Sequence, residues 1–121
     1  MPKQKVDYVG IPWIGVDLDG TLAEYSTWKG EEHIGEPIHA MIAKVKTWQQ
    51  SGRVVKIFTA RAAHGDKAIE YVKLWALKHG LGEIEITCVK DYSMIELWDD
   101  RAQQVHPNSG QHICFFCKDK E

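Results

Sequence analysis

A chain of 121 residues, 44% hydrophobic and 26% charged, suits one globular domain large enough to bury a core of its own. Its formal net charge of −2, with the basic residues scattered, argues against the basic stripe of a duplex-binding protein. No apolar run approaches the ~20 residues of a membrane-spanning helix, and the basic start Met1-Pro2-Lys3-Gln4-Lys5 leads into no apolar signal core, so a cytoplasmic protein is expected.

Residues 1–12 carry little pattern, and Pro12 argues against one strand from Val6 to Val16. Trp13-Ile14-Gly15-Val16 is a short apolar run leading into Asp17-Leu18-Asp19-Gly20-Thr21. Residues 22–36 read as a flap. From Pro37, the residues Ile38, Met41, Ile42, Val45 and Trp48 recur at helical spacing, with Pro37 suited to the first helical position and Gly52 to the position past the end. Val54–Phe58 is β-branched and apolar, a second strand. Asp66 is placed to cap a helix whose Ile69, Val72, Trp75 and Ala76 share a face, with Gly80 at its end. Ile84–Val89 and Met94–Trp98 make a third and a fourth strand.

Beyond them, His106–Gly110 is a turn cluster and His112–Cys117 a last strand. Cys114 and Cys117 beside His112 have the spacing of half a zinc site. Without a second pair they read as reduced core cysteines of a terminal strand.

Strands alternating with helices predict an α/β layered domain with a mainly parallel sheet. Four expected strands then end in polar residues: Asp17 and Asp19, Thr59, Lys90, and Asp99 with Asp100. The carboxyl ends of parallel strands share one edge, where such sheets bind ligands. Four carboxylates there repel one another without a cation, and hard oxygen donors suit Mg²⁺. A carboxylate can attack phosphorus to give an aspartyl-phosphate, and a second, two residues on, can serve as general acid and base. Lys90 and the Thr59 hydroxyl have the charge and the donor to hold phosphoryl oxygens.

In order along the chain, Val16-Asp17-Leu18-Asp19-Gly20-Thr21-Leu22, Ile57-Phe58-Thr59-Ala60-Arg61, Lys90 and Leu97-Trp98-Asp99-Asp100-Arg101 resemble motifs I to IV of the haloacid dehalogenase superfamily. The resemblance spans residues 13 to 101. It implies a Rossmann-like three-layer sandwich over a single domain of residues 1–121, with Asp17 as nucleophile and metal ligand. Asp19 would be general acid and base, lending its backbone carbonyl to Mg²⁺. Asp100 would be a direct metal ligand, and Asp99 a partner that reaches the ion through water or through the direct ligands. Phosphate would be held by Leu18, Thr59, Ala60, Arg61 and Lys90. Arg61 and Arg101 could equally bind substrate or pair with a carboxylate, and His33 and His64 read as surface residues.

Many members of that superfamily carry a lid domain after motif I or between motifs II and III. Neither interval here has room for one, so the resemblance is to a minimal, capless member. Its open site suits a bulky substrate or cover from a second copy of the chain. The segment Glu24–His33 then becomes the expected specificity element. The expected activity is Mg²⁺-dependent hydrolysis of a phosphate monoester, either a nucleotide or another small phosphorylated metabolite. A polynucleotide-end phosphatase, a receiver-like phosphate-binding module and a non-catalytic scaffold are the competing readings.

Overall fold

The computed structural model describes residues 10–113; the expected terminal strand over Cys114 and Cys117 lies outside them. Four parallel strands, β1 (Trp13–Val16), β2 (Val54–Phe58), β3 (Glu85–Thr87) and β4 (Met94–Trp98), form one sheet in the order β3-β2-β1-β4. Helix α1 (His39–Gln50) joins β1 to β2, and helix α2 (Asp66–Lys78), preceded by a 3₁₀ turn over Ala60–His64, joins β2 to β3. The α/β class with a parallel sheet is therefore as expected, and β1, β2 and β4 have the expected bounds.

Alternation along the strands decides what each face meets. Ile14, Val16, Val55, Ile57 and Ile86 form one core with Ile42 and Val45 of α1 and with Val72, Trp75 and Ala76 of α2. Both helices thus cover the same face. Each crossover moves one strand in the same direction across the sheet, and a right-handed connection then returns to the same side.

The opposite face carries Trp13, Gly15 and Phe58. No helix covers it among the described residues, where the three-layer expectation would place one. The chain from β3 to β4 has six residues, 88–93, too few for a helix. On that side the Trp13 indole N–H donates to Asp91 at 2.9 Å, which holds the Asp91 carboxyl below its ordinary range. A Cβ on Gly15 would stand 2.9 Å from the Met94 sulfur. Two layers, sheet and helices, are what the described residues build.

Two helix starts differ from expectation. Pro37 lies outside α1, in an antiparallel bridge with Ala23, and Ile38 is extended and donates its N–H to Leu22. Pairing with the chain after β1 therefore delays the helix to His39. Asp66 is the first residue of α2, and Gly65, at φ 116°, holds the cap position.

Candidate active site

The chain leaves β1 through a tight turn in which the Leu18 carbonyl accepts from the N–H groups of Thr21, Leu22 and Ala23. Leu18 itself is buried in the core, so any contribution to a ligand comes from its backbone. Gly20 has φ 94°, and a Cβ there would lie 2.5 Å from Asp100 Oδ2. That position needs glycine for its conformation and for the close approach of the acidic pair.

Asp17 follows β1 directly, and its N–H donates to the Trp98 carbonyl at 2.9 Å. This bond sets the end of β1 beside the end of β4, where Asp99 and Asp100 follow. Asp17, Asp99 and Asp100 each present a carboxylate oxygen within 4.8 Å of the others. Burial, then the charges of Asp99 and Asp100 and a hydrogen bond with Asp100, push the Asp17 carboxyl up to about 7. The acidic pair is itself fixed. Thr21 Oγ1 donates to Asp100 Oδ1 at 3.3 Å and accepts from the Asp100 N–H at 3.1 Å, while Asp99 Oδ1 accepts from the Arg101 N–H at 2.7 Å.

Asp19 stands apart from this trio. Its two oxygens accept from Arg61 Nε at 2.8 Å and Nη2 at 2.9 Å, a two-pronged ion pair. Arg61 is buried, 4% exposed, and also donates to the carbonyls of Glu31 and His33. Thr59, at the end of β2, is buried and accepts the Arg61 N–H on Oγ1. Accepting through a lone pair leaves its own O–H to give to a ligand.

These residues face a cavity of about 890 Å³ walled by Asp17, Asp19, Thr59, Ala60, Arg61, Asp99, Asp100 and Arg101, with Tyr25, Trp28, Phe58, His64, Cys88 and Ala102 completing it. The structure thus gathers every expected site residue except two in different circumstances: Leu18, whose side chain is in the core, and Lys90. Lys90 is exposed on the 88–93 connection and does not line the cavity. β3 ends at Thr87, two residues before the Val89 end expected ahead of Lys90.

The sequence assigns no site role to Thr21 or Cys88, although Thr21 lies inside the acidic motif, and it points to Trp28 only as part of the Glu24–His33 segment. His64, read as a surface residue, is half-exposed at the cavity wall, where its Nδ1 lies 3.3 Å from Glu31 and its ring meets Trp28 edge-on at 5.9 Å.

A second cavity, of about 340 Å³, lies under the flap and shares Asp19, Tyr25 and Arg61 with the first. Asp19 and Arg61 are therefore a wall between two spaces. Comparison with protein-family models, curated proteins and solved structures returns no match. No described helix is long and apolar enough to cross a membrane.

Proposed function

We propose that this chain is a Mg²⁺-dependent phosphohydrolase that cleaves a small phosphate monoester, a nucleotide or another phosphorylated metabolite, through an aspartyl-phosphate on Asp17. The observation that carries the reading is the meeting of Asp17, Asp99 and Asp100 at the carboxyl ends of adjacent parallel strands, with Asp19 two residues beyond the nucleophile. On this reading the chain is a minimal, Rossmann-like relative of the haloacid dehalogenase superfamily.

The donor set fits the metal. Three carboxylates sharing a few ångströms are hard oxygen ligands whose mutual repulsion a divalent cation offsets. Asp17, Asp99 and Asp100 would hold it, and Asp19 would add its backbone carbonyl because its side chain is engaged by Arg61. When bound, the ion supplies positive charge to the phosphoryl oxygens and keeps Asp17 ionised.

The chain's own residues do the rest. The Asp17 carboxylate attacks phosphorus in line with the leaving oxygen, forming the acyl-phosphate bond as the ester bond breaks. Asp19, turned from Arg61 and protonated from solvent, gives that proton to the leaving oxygen. It then takes a proton from the water that attacks the aspartyl-phosphate, releasing inorganic phosphate and restoring Asp17. Thr59 donates its hydroxyl to a phosphoryl oxygen, and Arg101 at the cavity wall brings a cation where Lys90 does not reach.

A panel of phosphate esters assayed with Mg²⁺ tests this. Wild type should hydrolyse at least one, Asp17→Asn should leave no turnover above background, and Asp19→Asn should lose ~10²- to 10⁴-fold in kcat. Equal activity of wild type and both variants on every hydrolysed ester would exclude the mechanism.

A further inference from the structure

The flap is held over the site at two places, its base and its tip. No side chain from Glu24 to His33 is buried. Its base is pinned, by Glu24 N–H to the Glu36 carbonyl at 2.8 Å and by Trp75 Nε1 to the Gly35 carbonyl at 3.1 Å. Its tip has no such packing. What holds the tip is the turn after β2, where Arg61 donates to the carbonyls of Glu31 at 3.0 Å and His33 at 2.9 Å and sets its guanidinium 4.8 Å over the Trp28 ring. His64 adds the contacts to Glu31 and Trp28.

The same guanidinium grips both oxygens of Asp19. A planar fork with four of its five donors engaged can serve the flap and the carboxylate only in one orientation. Rotating Arg61 to free Asp19 withdraws donors from Glu31 and His33. Lifting the flap removes the acceptors that keep the fork aimed at Asp19.

We propose that Arg61 is a positioning residue that makes closure of the flap and orientation of Asp19 a single event. Asp19 draws its importance from the phosphohydrolase reading, but the coupling is a property of the unliganded chain. A leaving group entering beside Asp19 competes with Arg61 for the carboxylate and loosens the flap tip. Departure of that group lets Arg61 take hold of both again, closing the flap and returning Asp19 to a fixed place. The two cavities that meet at Asp19 and Arg61 would then open and close together.

The test is amide hydrogen exchange of the full chain without substrate, comparing wild type, Asp19→Asn and Arg61→Lys. Asp19 lies outside the flap, and Asn there keeps the shape while losing the charge and one acceptor. Exchange across residues 24–36 should quicken by ~10-fold in Asp19→Asn, with α1 and β2 unchanged. Arg61→Lys, which keeps the charge without the fork, should do the same. An unchanged flap in Asp19→Asn overturns the proposal, as does a rise spread evenly over the whole chain, which would mean a merely structural ion pair.

Kinetics give the second arm. On an ester that wild type hydrolyses, Trp28→Ala should lower kcat more than it raises KM, and should add little further loss in an Arg61→Lys background. Full additivity would also overturn the coupling. Absence of hydrolysis by wild type counts against the phosphohydrolase reading alone, because the exchange result stands without it.

Discussion

Asp17 is the carboxylate under the greatest electrostatic tension among the described residues. Its carboxyl is raised to about 7 from an unfolded value of 3.8 by burial and then by Asp99 and Asp100. A carboxyl whose folded value is raised binds its proton more tightly in the folded state, so stability falls as pH rises from about 4 to about 7 and then levels. Asp17→Asn removes that loss. The variant should unfold at higher denaturant than wild type at pH 7.5, by about 1–2 kcal/mol once the partial exposure of the site is discounted. The gain should shrink to nothing near pH 4. Urea midpoints at both pH values measure it, and a variant less stable than wild type at pH 7.5 would contradict this account. The same tension makes metal binding proton-linked. Mg²⁺ should raise the wild-type midpoint more at pH 8 than at pH 6, since below about 7 the ion must displace a proton from Asp17.

The elements were legible in proportion to how local their causes are. Val54–Phe58 and Met94–Trp98 end where apolar β-formers give way to polar residues, and both strands have the bounds the pattern predicts. The third strand is shorter than its apolar run, because its pairing with β2 covers only Glu85–Thr87, leaving Val89 64% exposed. The meeting of Asp17 with Asp99 and Asp100 could be read from strand ends in a parallel sheet. The Arg61 clamp could not, since the flap has no period and its partners are backbone carbonyls, which every residue has. Lys90 falls on the 88–93 connection and not at a strand end, because the route of that connection is not written in any periodicity. Gly35 shows how narrowly the flap is built. A Cβ there would collide with the Glu24 carbonyl oxygen, which the packed base of the flap cannot move aside. Gly35→Ala should therefore displace the flap base, with ester hydrolysis falling at least ~10-fold and the thermal midpoint dropping by only a few degrees. Activity and melting measured on one preparation check it, and unaltered kcat and KM would show that the flap base can shift freely.

At the scale of the whole molecule, the proposed metal site is a seam between a buried strand and an exposed one. Among the described residues, β1 lies between two neighbours with all four residues buried, whereas β4 stands at the edge of the sheet, paired with β1, and buries none of its five side chains. Its Ile95, Leu97 and Trp98 are 47%, 36% and 36% exposed. An edge strand with so little packing opens more readily than the centre of the sheet. The amides of β4 should accordingly exchange faster than those of β1 and β2 in metal-free protein. Opening β4 also separates Asp99 and Asp100 from Asp17, so an ion held by all three binds only while β4 is closed. Mg²⁺ at ten times its dissociation constant should then slow β4 exchange by ~10-fold. Amides of α2 that exchange through local fraying, which leaves the seam intact, should gain much less at the same concentration. Exchange followed by mass spectrometry with and without Mg²⁺ distinguishes the cases. Selective protection of residues 94–100 would locate the ion at the seam, whereas protection confined to the flap or to exposed acidic residues elsewhere would place it off the trio. In that case the carboxylates of Asp17, Asp99 and Asp100 would owe their convergence to the fold alone.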